Sequence, residues 1–261
     1  MILKYKYALA LTLGLFIQTQ TLRAQQKIDV TQEENRDDFN FSKYENSYFA
    51  YGTPTSKVQF SFKYKILRNF DLYAGYTQIL FWEMRKESMP FRDVNFNPEF
   101  FYRFEWENKA IESIDLVPWW HKSNGKSGIE SRSLDSSGIR VNGKLKIDNT
   151  MLRWKVRLFY KYRVDREQAG FDTNYGPYDV TLSYLQFFRW TIDRAELSFR
   201  FYGGGKWGQN LGSGGREATL SFRVFGIDMT PSFYFSYFEG YGESLLRYNK
   251  YERNFRVGIM L

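Results

Sequence analysis

The sequence predicts an all-β protein, a twelve-stranded antiparallel transmembrane β-barrel. Three observations predict it: apolar and polar residues alternate through most of the chain, aromatic residues make up 20% of it, and the mean hydropathy is only -0.53. A helical membrane protein needs long apolar runs, which this chain lacks after its first residues. A barrel accounts for all three, because an aromatic outer face contacts lipid while a polar inner face lowers the mean hydropathy.

The predicted strands show a period of two residues. Between residues 57 and 66 every even position is apolar or aromatic and every odd position is polar, as in a strand with one apolar face. Between residues 152 and 163 the polar face is basic, and we expect it to point into the lumen and pair with acidic residues of neighbouring strands; it consists of Arg153, Lys155, Arg157, Lys161 and Arg163.

Turn residues divide the chain between Asn46 and Leu261 into about twelve such segments. Each takes roughly 18 to 20 residues with its turn, a length typical of strands that cross a membrane. A soluble β-sandwich is the alternative, but inner faces of sandwiches favour Val, Ile and Leu over Phe and Tyr. The aromatic faces therefore favour the barrel.

The chain divides into three parts. Residues 1–24 have the layout of a secretory signal peptide, with Lys4 and Lys6 before an apolar run of ten residues and the small residue Ala24 at the cleavage site. Residues 25–45 are polar and acidic and predict a loosely ordered periplasmic extension. Residues 46–261 form the predicted barrel.

Composition excludes several classes of chemistry. The chain has no cysteine, so disulfides, thiolate metal sites and a cysteine nucleophile are excluded. It has one histidine, His121, so a single chain cannot supply the two imidazoles that most zinc enzymes use. The net charge of +8 permits anionic partners, but aromatic residues between the basic ones argue against a nucleic-acid site.

One stretch, from His121 to Asp135, carries candidate catalytic residues. His121 and Ser123 are two positions apart and share a face if they lie on a strand. If the intervening loop is symmetric about Gly128, antiparallel pairing puts Asp135 opposite His121. The spacing predicts Ser123 as nucleophile, His121 as general base and then acid, and Asp135 as the group that holds the imidazole.

The parity of the next strand predicts that this row faces lipid. Asp135 has odd numbering, as do Ile139, Val141, Leu145 and Ile147 of the apolar row. The His121 strand is the fifth by our count, so its end faces away from the periplasm if both termini are periplasmic. The alternative is a surface histidine beside a serine-rich turn, but unpaired polar groups are costly in a lipid zone.

The residues resemble those of the outer membrane phospholipase A family (phospholipase A1) of Gram-negative bacteria. The resemblance spans roughly Asn46 to Leu261 and is carried by these blocks: His121-x-Ser123-Asn124-Gly125 with Ser131-Arg132-Ser133; Tyr76-Thr77-Gln78 with Trp82; Pro90-Phe91-Arg92 and Asn97-Pro98-Glu99; and Gly240-Tyr241-Gly242-Glu243-Ser244-Leu245 with Tyr248-Asn249. It implies a calcium-dependent enzyme of the outer membrane that hydrolyses acyl esters of phospholipids at both glycerol positions (A1 and A2 activity), acts as a homodimer, and has its active site toward the outer leaflet.

The resemblance also implies roles for particular residues. Ser123 and His121 match the nucleophile and base, whereas Asp135 stands where the family usually has Asn. Calcium would bind Ser88, the Lys126 carbonyl and Ser131; such a site has few carboxylates and suits a cation shared between two subunits.

Two further roles follow from the same resemblance. A backbone N–H near Gly125 would complete the oxyanion pocket. Gln78 matches a polar residue of the dimer interface, and a place in the lumen is the alternative for this side chain.

Two other functions remain open at this point. One is a deacylase that acts on the lipid A of lipopolysaccharide, which can also use an outward-facing His and Ser on a barrel. The other is a catalytically inactive barrel that serves as a pore or a structural element. The Gly240 to Leu245 block and Tyr248 have no chemical role that the sequence indicates.

Overall fold

The structure, a computed structural model, describes residues 40–106, 110–147, 150–165, 170–185, 192–224 and 231–261. The predicted signal peptide, residues 1–24, and residues 25–39 of the predicted extension lie outside the described residues. Among the described helices, none is long and apolar enough to cross a membrane.

The described residues form one antiparallel sheet. Its strands are β1 (Phe41–Lys43), β2 (Tyr48–Thr53), β3 (Ser56–Leu67), β4 (Phe70–Trp82), β5 (Phe91–Glu105), β6 (Ile111–Ser123), β7 (Ser133–Ile147), β8 (Thr150–Val164), β9 (Tyr178–Leu185), β10 (Ile192–Gly204), β11 (Asn210–Val224), β12 (Ser232–Gly240) and β13 (Glu252–Met260). Each strand from β2 to β13 pairs with the next one along the chain, and β13 returns to β2. The predicted twelve-stranded barrel is therefore confirmed, with β6 as its fifth strand.

The outer face of the barrel is apolar and aromatic. Phe60 on β3, Tyr160 on β8 and Phe255 on β13 are each more than half exposed, at 52%, 72% and 59%. Their sequence neighbours point inward, as the period of two residues requires. This arrangement pairs every strand of the ring while its aromatic face is left for lipid, which is how a barrel crosses a bilayer.

Residues 41–45 of the predicted extension lie against the barrel. Strand β1 pairs with β3, with Phe41 opposite Tyr64. Strand β2 pairs with an earlier part of β3, with Tyr48 opposite Gln59, and the registers of the two pairings differ by two residues. Between β1 and β2 the chain turns its side chains inward, where Glu45 forms an ion pair with Lys155 at 2.6 Å. The order of these residues comes from contacts with strands far along the chain, which a local composition does not indicate.

The lumen is filled by ion pairs, as predicted. Asp115 of β6 is fully buried and accepts hydrogen bonds from Arg103 and Arg140 on the two neighbouring strands, at 2.8 and 2.7 Å. On the other side of the lumen Asp179 binds Arg200, and Glu217 binds Lys57. A polar cavity of about 500 Å³ remains between these groups.

At the end of the lumen beyond β6, two connections contribute residues to the lining of the cavity. One contains a short helix, α1 (Phe171–Asn174), whose Phe171 packs on Tyr248 of the connection between β12 and β13. The second connection is pinned inside the barrel, because Glu243 binds Arg256 through both oxygens, at 2.6 and 3.1 Å. The Gly240 to Leu245 block therefore has a structural role that its sequence does not indicate.

Candidate active site

A β-bulge in β6 decides which way the candidate catalytic residues face. In the first part of this strand odd-numbered residues are buried in the lumen, as Asp115 and Val117 are. The register with β7 then shifts between Val117 and Trp120, and Trp120 is also buried. The extra residue lies at Pro118 and Trp119, and proline is found at bulges because it has no N–H for the ladder. After the bulge, His121 and Ser123 therefore point outward, although they are odd-numbered.

His121 and Asp135 face each other across β6 and β7. The two residues are direct partners in the ladder, which confirms the predicted register. Ser123 and Ser133 are also direct partners. His121 Nδ1 and Asp135 Oδ1 are 2.7 Å apart. The indole of Trp119 stacks on the imidazole with ring centroids 5.9 Å apart and planes 12° apart. The ring is thus held from its Nδ1 side, and its Nε2 atom is directed away from the carboxylate.

A second bulge brings a cation to this cluster. β7 and β8 pair Asp135 with Arg163 and Ser136 with Lys161, so Tyr162 is an extra residue in β8. The extra residue turns Arg163 to the outer face, where its Nε lies 2.7 Å from Asp135 Oδ2. The prediction that Arg163 points into the lumen with the other basic residues of β8 is therefore wrong, because a bulge interrupts the alternation.

Ser123 lies on the same outward face as His121, two positions further along β6. The two described side chains form no hydrogen bond with each other in this structure. Catalytic hydrogen bonds are often loose without substrate and tighten in its complex. The shared face, and a ring already held at Nδ1, leave Nε2 as the nitrogen that can serve the hydroxyl.

The loop that follows Ser123 is organised by Asn124. This buried side chain accepts a hydrogen bond from the Arg132 N–H at 3.0 Å and donates one to the Glu130 carbonyl at 2.8 Å. Gly125 adopts a φ of +65°, and a Cβ there would lie 3.0 Å from the ring of Phe96. Only glycine combines this backbone conformation with this contact. Within the described residues, the Gly125 N–H donates no hydrogen bond, so it is available to a developing oxyanion.

The three residues with an implied calcium role lie on two connections at one end of the barrel. Ser88 is exposed on the connection after β4, and Lys126 and Ser131 lie on the connection after β6. Lys126 Nζ binds Glu130 at 2.8 Å, and this hydrogen bond lowers the pKa of the Glu130 carboxyl below its usual value. Ser131 Oγ donates to the carboxylate of Asp165 at 2.7 Å.

The chemistry of these donors suits a hard cation. Hydroxyl, carbonyl and carboxylate oxygens are the ligands that Ca²⁺ prefers. The Lys126 carbonyl accepts no hydrogen bond from the described residues, so it is free to bind a cation. The described part of the chain contains no cluster of three or more His, Cys, Asp or Glu side chains that could hold a metal ion.

Gln78 lies on the outer face of β4. Its ladder partners are Phe60, which is half exposed, and Phe96. The neighbouring Thr77 points inward, since its hydroxyl binds the buried Ser61 at 2.7 Å. Phe96 is in turn the partner of Ser123. Gln78 is therefore level with Ser123 on the outer wall, two strands or about 10 Å away.

Two residues of the site were missed by the sequence analysis in different ways. Asn124 belongs to the motif that carries the resemblance, but its role in fastening the loop becomes visible only through its partners Glu130 and Arg132. Arg163 follows an unbroken alternation, and only its partner Asp135 reveals the bulge. Tyr160 and Tyr162 continue the same alternation up to Arg163, so the sequence itself carries no signal of the bulge.

Comparison with known sequences identifies the relatives of this chain. The profile of the family described as Phospholipase A1 matches residues 21–261. Phospholipase A1 of Salmonella typhimurium is 30% identical over 219 residues, which cover 78% of this chain and 68% of the relative. Phospholipase A1 of Escherichia coli K12 has the same identity over the same shares of both chains.

Comparison with solved structures identifies the same fold. Outer membrane phospholipase A from Escherichia coli superposes with a TM-score of 0.72 and 24% identity, over 88% of this chain and 94% of that one. A calcium-bound dimer of the outer membrane phospholipase of Salmonella typhi gives the same TM-score and identity, over 87% and 94% of the two chains.

Proposed function

Because this chain belongs to the phospholipase A1 family and is an outer membrane β-barrel, we propose that it hydrolyses phospholipid acyl esters through Ser123, His121 and Asp135. The observation that carries this proposal is the outward-facing row on β6 and β7, in which Asp135 holds Nδ1 of His121 beside Ser123. An imidazole held in this way can accept a proton at Nε2. A polar row on the lipid-facing wall has no evident structural purpose, since its groups would be more stable in water or in the lumen.

The chemistry follows from the positions of the three side chains. Ser123 Oγ attacks the acyl carbonyl carbon while His121 Nε2 takes its proton. The ester bond then breaks, and His121 returns the proton to the departing glycerol oxygen of the lysophospholipid. Water, activated by the same imidazole, hydrolyses the acyl-serine and releases a fatty acid. Asp135 stabilises the protonated imidazole in both halves of the reaction.

The Gly125 N–H supports the charge that develops on the carbonyl oxygen. It lies two residues after Ser123, in a turn fixed by Asn124, and it has no other partner among the described residues. A preorganised N–H of this kind is most effective where water is excluded, as at a lipid boundary.

Calcium binding is part of the same proposal. The Lys126 carbonyl and Ser131 would hold the cation on one subunit, and Ser88 would supply a further oxygen ligand from a separate connection. Bound calcium would polarise the substrate carbonyl and add to the oxyanion pocket. A site with one or no carboxylate binds weakly and completes its shell with water or with oxygens of a second subunit.

A homodimer in the outer membrane would complete this arrangement. Gln78 faces outward, level with Ser123. A second barrel packed against this wall would therefore contact Gln78 and would also lie beside the catalytic residues. An amide on a lipid-facing wall is more stable when it hydrogen-bonds to a partner amide than when it contacts acyl chains. Strand β2 begins and β13 ends at one end of the barrel, whereas β6 ends near Ser123 at the other end. With both termini on the periplasmic side, the site would lie toward the outer leaflet.

Substrate range separates this proposal from its alternatives. The family membership favours glycerophospholipids over lipid A and an enzyme over an inactive barrel. We propose hydrolysis at both glycerol positions and of the lysophospholipid product, because an open outer wall does not enclose the glycerol and so does not select one ester.

The test is fatty-acid release from phosphatidylethanolamine in mixed micelles by refolded protein, with calcium or with EDTA. Ser123→Ala should lower the rate by about 10³-fold or more, because the nucleophile is lost. EDTA should also abolish hydrolysis, and added calcium should restore it. Ser133→Ala is the matched control, since Ser133 is the ladder partner of Ser123, and it should keep most of the activity.

Equal activity of Ser123→Ala and the unmodified protein would contradict the proposed nucleophile. Release of 3-hydroxy acyl chains from lipid A, without hydrolysis of phosphatidylethanolamine, would support the deacylase instead.

A further inference from the structure

Asp135 has a partner on each of its two oxygens. Oδ1 lies 2.7 Å from His121 Nδ1, and Oδ2 lies 2.7 Å from Arg163 Nε. The carboxylate is 7% exposed, whereas the Arg163 side chain is 66% exposed on the outer wall. Three strands therefore contribute one side chain each to a row of imidazole, carboxylate and guanidinium.

The contact between Arg163 and Asp135 depends on the β-bulge in β8. Without the extra residue Tyr162, Arg163 would continue the inward row that contains Arg157 and Lys161. It would then join the lumen cations, which pair with Asp179 and Asp172. The bulge instead places the charge on the face where the barrel contacts lipid, and cationic side chains are costly there unless they are paired or reach the interface.

A carboxylate at this position needs a cation for a physical reason. Asp135 is only 7% exposed on the outer wall, and a carboxylate that is largely removed from water is stabilised by a cationic partner. A guanidinium at 2.7 Å compensates the charge and also restrains the plane of the carboxylate. The orientation of Oδ1 toward Nδ1 then persists through the reaction, while the ring gains and loses its proton.

We propose that Arg163 is a positioning residue that holds Asp135 against His121, and that this acid–base pair is a unit of three side chains. The proposal rests on the function proposed above. Arg163 does not touch the reacting atoms; it acts on the rate through the carboxylate. Its effect therefore depends on the charge of Asp135, and this dependence is the feature that an experiment can isolate.

A double-mutant cycle tests the dependence. Arg163→Gln should lower kcat for phospholipid hydrolysis about tenfold with little change in KM. The same substitution in an Asp135→Asn background should cause no further loss, because the amide carries no charge for the guanidinium to hold. Arg153→Gln removes the same charge at the other end of β8 and is the matched control, with activity expected to stay unchanged.

The single histidine gives a readout that does not depend on hydrolysis. In protein labelled with ¹⁵N-histidine the imidazole signals come from His121 alone. We expect one tautomer, with the proton on Nδ1, in the unmodified protein and in Arg153→Gln. Arg163→Gln should give a mixture of the two tautomers, because the carboxylate is no longer held in one orientation.

Two results would overturn the proposal. One is an unchanged imidazole spectrum in Arg163→Gln. The other is an equal loss in both backgrounds that appears mainly in KM, which would assign Arg163 to the lipid phosphate. Because the spectrum can be recorded for Ser123→Ala and for protein without activity, failure of the proposed function and failure of the Arg163 proposal remain distinguishable. Unchanged heat-modifiable mobility in electrophoresis verifies that each variant folds.

Discussion

Two aspartates on neighbouring strands show how differently the two faces of this barrel use a carboxylate. Asp115 on β6 faces the lumen, is fully buried, and contacts Arg103 and Arg140. Asp135 on β7 faces outward and contacts His121 and Arg163. Asp115 also accepts a hydrogen bond from Asn142, and its partner Arg140 is itself bound to Glu99, whereas Arg163 is largely exposed.

The difference separates a structural network from a catalytic one. In the lumen Asp115 is the partner of two arginines, so its loss leaves buried cations with less compensation. On the outer wall the row ends at an exposed guanidinium on one side and at an imidazole on the other. This row can change its protonation state without disturbing the barrel, which is what general acid–base chemistry requires.

Asp115→Ala should have the largest effect on stability. A small effect would contradict the structural role assigned to the lumen-facing carboxylate. The substitution leaves Arg103 without a carboxylate partner among the described residues and Arg140 with Glu99 alone, and it should lower the free energy of unfolding by about 3 to 5 kcal/mol. The measurement is the urea midpoint of the refolded barrel. Asp71→Ala removes the exposed pair with Lys65 and is the control, with an expected loss of about 1 kcal/mol or less. Equal losses in the two variants would show that burial does not set the cost.

Asp135→Asn should have an intermediate effect, on activity rather than stability. An amide oxygen can still accept the Nδ1 proton, but without charge assistance, so the rate should fall about tenfold. The urea midpoint should stay close to that of the unmodified protein, in contrast to Asp115→Ala. Loss of all activity would mean that the charge of Asp135 is indispensable in this chain.

Gln78→Ala should have the smallest of the three effects, on the dimer fraction. It tests whether the outer wall beside the site contacts a second barrel. It removes about one interface hydrogen bond, so crosslinked dimer in detergent with calcium and a substrate analogue should fall about threefold. Gln59→Ala, on the lumen side of β3, is the matched control and should leave the dimer fraction unchanged. A chain that stays monomeric under all these conditions would contradict the proposed dimer.

The alternation in the sequence was sufficient to predict the barrel and the position of Asp135, but not the face that His121 occupies. Period-two patterns indicate the strands, and the symmetry of the 124–134 segment indicates that Asp135 pairs with His121, as the ladder confirms. The parity of β7 indicates the outward face of Asp135. The parity of β6 alone would indicate the wrong face for His121, since Asp115 and Val117 are odd-numbered and point inward.

The remainder depends on contacts between residues far apart in the chain. Glu45 enters the lumen because Lys155 lies there, and the backbone of Leu245 enters the barrel because it donates to Asn95 at 3.2 Å. Neither segment has a local pattern that indicates its place. A polar segment reads the same in sequence whether it is solvated outside the barrel or satisfied inside it.

The sequence by itself determined a barrel of twelve strands with an aromatic exterior and a charged interior, because the side-chain period of a strand is a local property. The tertiary structure decided which face His121, Ser123 and Arg163 occupy, because a bulge is a mismatch between two strands and exists only in their pairing. One extra residue at Pro118 and another at Tyr162 turn otherwise inward side chains to the lipid side, and there they meet Asp135.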